Sequence, residues 1–220
     1  MQSTIKSAAS IATIVLLMAF SARSSAQTSK FGISINSLIT NFNYGSANNS
    51  LQPYKKNFSG LQAGFTYQLG ITPGFSVVPE LYFAMKGGTL KENNPLTNGK
   101  STLRLYSIEL PVLARVHFHD LYLNAGPYAG YNIGGRLKID GTENTPETTS
   151  KISFGNSSGD FRRWDFGLQA GAGYNFKRKR STLTVDVRYG YGLVSISRDV
   201  QRYNRMLNIS LQVAKLKKKA

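Results

Sequence analysis

Cysteine is absent from this 220-residue chain. That excludes a disulfide framework, a thiolate metal site and a lipid-modified cysteine behind a leader. Histidine is nearly absent: His117 and His119 share one turn signal, and only Asp120 lies beside them as a third ligand. No metal site is expected from so thin a donor set. Acidic residues are also scarce, 11 Asp and Glu against 27 Lys and Arg, for a formal charge of +16. Such an excess favours anionic surfaces, either nucleic acid or lipid headgroups and lipopolysaccharide phosphates. There is no G-x-S-x-G nucleophile motif, and Gly171-x-Gly173 lies inside a strand pattern rather than a phosphate loop. No catalytic residue and no cofactor are expected, and the chain does not read as an enzyme.

Long apolar runs are missing as well. The one candidate, Ile11 to Phe20, is too short for a membrane helix, which needs roughly 17–25 residues. It reads instead as the core of a signal peptide. Lys6 supplies the positive leading region, and Ser24-Ser25-Ala26 supplies small residues for cleavage. Cleavage after Ala26 divides the chain into a signal peptide, 1–26, and one domain, 27–220; Ala22 is a second option. Loss of Lys6 and Arg23 with the leader lowers the formal charge from +16 to +14. A secreted protein meets lipid and lipopolysaccharide phosphates rather than nucleic acid, so no nucleic-acid partner is expected.

What the chain does contain is alternation. From Trp164 to Phe176 the even positions are Trp, Phe, Leu, Ala, Ala, Tyr and Phe, while the odd ones are polar or glycine. This period of two marks a strand with one apolar and one polar face. Thirteen residues exceed the usual soluble strand of about 5–6 and suit a tilted membrane strand, which needs roughly 9–11. Comparable sets run through Leu61–Leu69, Phe75–Met85, Tyr106–Phe118, Leu121–Ile133, Leu183–Leu193 and Leu207–Val213, with a weaker opening at Phe31, Ile33 and Ile35. The total is eight, an even number suited to an up-and-down barrel.

The connections alternate in length. Short turns lie at Gly70–Gly74, His119–Asp120 and Lys177–Arg180. Long polar segments lie at Tyr44–Asn57, Gly87–Ser101, Gly134–Gly159 and Ser195–Asn204. All the long segments therefore fall at one end, the pattern of short periplasmic turns and long extracellular loops. Aromatic residues near segment ends (Phe31, Phe42, Phe75, Tyr106, Phe118, Trp164, Phe176, Tyr191) fit interfacial girdles. The expected fold is all-β: an eight-stranded antiparallel transmembrane barrel crossing a bacterial outer membrane many times. Closure follows from the solvent, because lipid offers no partner to an unpaired strand edge.

Several stretches resemble the outer membrane protein β-barrel domain family (PorT-like), an architecture shared with small OmpA/OmpX-type barrels. They are Val77-Val78-Pro79-Glu80-Leu81-Tyr82-Phe83 with Lys86-Gly87-Gly88, Ile108-Glu109-Leu110-Pro111-Val112-Leu113 and Gly126-Pro127-Tyr128. Asp165-Phe166-Gly167-Leu168, Gly171-Ala172-Gly173-Tyr174 and Arg188-Tyr189-Gly190-Tyr191-Gly192-Leu193 complete the set. The resemblance implies outer-membrane insertion by the barrel assembly machinery, with secretion or envelope roles in some members. One departure is the ending Leu216-Lys217-Lys218-Lys219-Ala220, where such barrels commonly finish on an aromatic residue.

By alternation Glu80, Lys86, Glu109, Arg115, Asp165, Asp186 and Arg188 point into the barrel. Counting from the short turns puts Glu80, Arg115, Asp186 and Arg188 at one depth. An eight-stranded barrel is just wide enough to be filled by side chains, so these charges are expected to pair as a structural plug. A narrow ion-conducting porin is the competing reading. The basic turn Lys177-Arg178-Lys179-Arg180, like Lys215 to Lys219, is expected to meet inner-leaflet headgroups. Loop Gly134–Gly159 is the expected surface for a protein partner. The functional expectation is a closed-lumen structural, adhesive or secretion- and assembly-associated component. A secreted lipocalin-like barrel around a small apolar ligand is the alternative, and it would put the apolar face inside.

Overall fold

The computed structural model describes residues 29–97, 99–141, 146–179 and 181–215. The proposed leader and the ending after Lys215 lie outside the described residues. Eight long strands carry the fold: β1 (Lys30–Asn43), β2 (Phe58–Thr72), β3 (Phe75–Leu90), β4 (Ser101–Phe118), β5 (Leu121–Ile139), β6 (Trp164–Lys177), β7 (Ser181–Gly192) and β8 (Tyr203–Lys215). Each pairs antiparallel with its neighbour in sequence. β8 then pairs with β1 from Phe31↔Lys215 to Asn43↔Tyr203, which closes the barrel. Closure leaves no edge, and every strand has the length a lipid crossing requires, from 12 residues in β7 to 19 in β5.

The two faces are inverted relative to a soluble protein. Ile35, Leu61, Phe83, Leu123, Leu168 and Leu211 are each about half exposed, and they share the outer face with the other apolar residues of the alternation. The buried face holds Asn36, Gln62, Glu80, Glu109, Arg115, Asp165, Gln169, Asp186 and Arg188. Water would penalise so much exposed apolar surface, whereas a hydrocarbon surround does not. The same inversion rules out the lipocalin-like arrangement, whose apolar face lines the interior. Paired outer aromatics mark both ends of the wall: Phe31 stacked on Phe65 toward the short turns, and Trp164 stacked on Phe166 with Tyr131 edge-on to it toward the long loops.

Three lumen tyrosines explain why glycine is frequent on the inner face. Tyr82, Tyr122 and Tyr128 lie directly across the ladder from Gly64, Gly173 and Gly167. Each ring lies over its glycine, and an added Cβ there would overlap the ring. Tyr122 cannot swing aside freely, since its hydroxyl donates to Asp186 Oδ2 at 2.6 Å. Gly173→Ala is therefore expected to cost about 1–3 kcal/mol through overpacking. Urea unfolding in bilayers measures it, and an unchanged midpoint would mean the ring has room that the packing does not show.

Strands run further at the long-loop end than the alternation suggests. β3 continues to Leu90 and β5 to Ile139, past the expected loop starts at Gly87 and Gly134. The ladder persists through Thr89↔Thr102 and Leu103↔Leu137, but the inward residues there turn apolar, so the contrast between faces disappears. The loops are also partly ordered. Residues 44–57 form short helical turns and a two-residue strand, Lys55–Lys56, paired with β3; Thr148–Lys151 pairs with the end of β5.

Candidate functional site: the barrel lumen

Among the described residues, the inward charges expected from alternation form two clusters and leave Arg115 outside both. In the upper cluster, nearer the long loops, Lys86 Nζ of β3 lies 2.5 Å from Glu109 Oε1 of β4 and 2.7 Å from Asp165 Oδ2 of β6. The Asn204 side-chain amide donates to Asp165 at 2.6 Å, and that of Gln62 donates to Glu109 at 2.8 Å. In the lower cluster Arg188 Nη1 reaches Glu80 Oε2 at 2.6 Å, and its Nε reaches Asp186 Oδ1 at 2.6 Å. Tyr122 and Asn124 donate to the other Asp186 oxygen at 2.6 and 2.7 Å. Every charged group in both clusters is fully buried. At such burial a charge persists only when its partners replace the lost water.

A neutral chain joins the clusters. Gln62 Oε1 accepts from Asn36 at 2.6 Å and from Asn208 at 3.0 Å. Ser210 donates to Asn208 at 3.0 Å and accepts from Arg188 Nη2 at 3.4 Å. A continuous hydrogen-bonded path thus runs from Glu109 through Gln62, Asn208 and Ser210 to Arg188. Arg188, Tyr82, Tyr122, Lys86, Gln62 and Gln169 are among the largest fully buried side chains and fill the cross-section at these levels.

Arg115 departs from the expectation that it shares a depth, and a partner, with Glu80, Asp186 and Arg188. It makes no ion pair among the described residues. Its guanidinium lies 3.9 Å above the Tyr122 ring, and Nη1 reaches Gln68 Oε1 at 3.4 Å. Counting from turns misplaces it because the strands of a closed barrel tilt, so one ladder row climbs along the axis as it passes round the wall.

Above the upper cluster the lumen ends in an apolar cap. Phe42, Tyr44, Leu51, Leu90, Leu103, Leu105, Phe161 and Ile196 pack together, drawn from three strands and three loops. Phe42 therefore belongs to this cap and not to the outer girdle, because even positions of β1 face inward. The loop that delivers Phe161 is fastened at Asp160. The Ser153 hydroxyl and the Ser157 backbone N–H both donate to that carboxylate and hold it below the usual carboxylate range. Sequence reasoning missed the cap, although Leu103 and Leu105 continue the inward series of Ser107 and Glu109.

At the short-turn end the lumen opens into a mouth of about 360 Å³ bordered by Lys30, Gln68, Ser76, His117, His119 and Lys177. His117 Nε2 lies 2.8 Å from Ser76 Oγ. His119 occupies the tight turn with φ 61°. No group of three metal-ligating side chains converges among the described residues. In the basic turn Lys177 pairs with Asp120 at 2.6 Å, Arg178 and Lys179 are exposed, and Arg180 lies outside the described residues.

Closed strands, an apolar outer wall and a polar interior define an integral β-barrel protein of the bacterial outer membrane. Residues 20–198 match the family described as outer membrane protein beta-barrel domain, and the chain belongs to that family. Comparison with curated proteins gives no match. Among solved structures the chain is similar to Ail of Yersinia pestis in complex with the heparin analogue sucrose octasulfate. Identity there is 13%, covering 84% of this chain and 97% of Ail, with a TM-score of 0.41. It is similar to Neisserial surface protein A at 12% identity, 83% and 96% coverage and a TM-score of 0.44. Outer membrane protein AlkL in lipid bilayers gives 12% identity, 90% and 95% coverage and a TM-score of 0.40.

Proposed function

We propose that this outer-membrane barrel is a closed-lumen, non-enzymatic surface component that acts through its long loops in an adhesive, structural or assembly-associated role. One observation carries the reading: the long-loop end of the lumen is stoppered by the apolar cap directly above two buried ionic clusters. An ion path would have to break both. The functional surface is then the outside of the loops, with residues 140–163 the largest candidate platform for a protein partner. Residues 1–26 serve as the cleaved leader in this proposal, and the barrel assembly machinery inserts the remainder. Lys177, Arg178, Lys179 and Arg180 would lie at the inner-leaflet headgroups.

Reconstitution into planar bilayers tests the closed lumen. The expected trace shows no stepwise conductance for the folded protein at moderate voltage. Discrete, reproducible openings would establish the narrow-porin reading in its place.

A further inference from the structure

We propose that the short-turn end of the lumen holds a binding site for a monovalent anion, centred on Arg115. A small cavity of about 20 Å³ lies inside the mouth, lined by Arg115, Lys30, Gln212 and Thr182 among others. It shares Lys30, Gln68 and Asn175 with the mouth itself, so the periplasmic solvent leads to it. Four buried polar atoms on its walls have no partner among the described residues: Arg115 Nε and Nη2, Gln212 Nε2 and Thr182 Oγ1. Three of the four are obligate donors, and the fourth is a hydroxyl that can donate.

The chemistry of the walls selects the occupant. Among the described residues two cations and no carboxylate border the cavity. Arg115 is 2% exposed and has a ring, not an anion, against its face: Tyr122 stands between it and Asp186. A buried guanidinium with free N–H groups and no counter-charge is costly, and an acceptor atom of negative charge satisfies both needs at once. The volume admits one water-sized atom. That fits a single halide ion and excludes carboxylates, sulfate and phosphate from full entry. Charge and orphaned donors set the sign of the ligand; the volume sets its size.

The test follows the arginine Nε–H resonances of the folded, detergent-solubilised protein during titration with sodium bromide and, separately, sodium acetate. Sodium sulfate holds the ionic strength constant. One arginine resonance, absent from Arg115→Met, is expected to move saturably with bromide and not with acetate or sulfate. Thr182→Val and Gln212→Leu each remove one donor and are expected to weaken the apparent Kd by about tenfold. A linear response, or an equal response to acetate or sulfate, would mean charge screening and a cavity filled by water, and would overturn the proposal. Should Arg115→Met fail to fold, the selectivity of the unmutated protein and the two donor variants still decide. The result is independent of conductance, since a closed barrel and a narrow pore could each carry the site.

Discussion

Arg188→Met is expected to destabilise the barrel by roughly 3–5 kcal/mol, the cost of breaking a buried ion pair from one side. Among the described residues the guanidinium is the only cation within ion-pair distance of Glu80 and Asp186, and all three side chains are fully buried. Methionine replaces most of its length but none of its charge. Glu80 and Asp186 would then repel each other in a region that water does not reach. The combined change Glu80→Gln, Asp186→Asn and Arg188→Met removes the charges together. It is expected to recover most of the loss, because whole buried ion clusters contribute little beyond their neutral replacements. Urea-induced unfolding in bilayers, read by intrinsic fluorescence, distinguishes the two. Equal destabilisation by the single and combined variants would show that packing volume, not charge balance, holds the lower cluster together.

Val187→Arg reports on the other face of the same strand. Val187 is outward and 44% exposed near the middle of β7, across from Ile209 on β8 and Ala172 on β6. An arginine at the hydrocarbon midplane of an outer-membrane barrel costs about 2–4 kcal/mol, falling to about 0–1 near the interfaces. Val187→Arg should therefore lower stability by that larger amount, and Leu211→Arg on β8 should do the same. Leu183→Arg, close to the short turn of β7, should cost little. Depth dependence is the diagnostic, because a water-facing wall would accept arginine equally well at all three positions.

Most of the fold is legible in the sequence because lipid imposes a strict rule on strands. A side chain must be apolar outside and small, polar or paired inside, and the alternation from Trp164 to Phe176 records that rule residue by residue. The short turns are legible for the same reason, since Pro73-Gly74 and His119-Asp120 interrupt it. Legibility fails where lipid ends. Beyond the membrane, Leu103, Leu105 and Leu90 meet loop residues instead of a polar lumen, so the alternation loses contrast while the ladder continues. The inward charges can be assigned by parity alone. Their partners cannot, because strand tilt decides which of them share a level: Lys86 finds Glu109 and Asp165, while Arg115 finds none among the described residues. Glycines opposite Tyr82, Tyr122 and Tyr128 look like breaks in a strand until the cross-strand register shows what each makes room for.

The proposed arrangement, an apolar wall in lipid around a lumen closed to water, is open to a direct test because the chain lacks cysteine. Single cysteines placed in turn from Leu207 to Leu211 on β8 each carry one spin label in the reconstituted protein. Collision rates with oxygen, which concentrates in lipid, and with a water-soluble nickel complex then report each position's surroundings. The expected profile has a period of two. Oxygen contact is high at Leu207, Ile209 and Leu211, and both reagents are largely excluded at Asn208 and Ser210. High nickel accessibility at those two positions would reveal an open, water-filled lumen, and high nickel accessibility at the other three would contradict the lipid-facing wall itself.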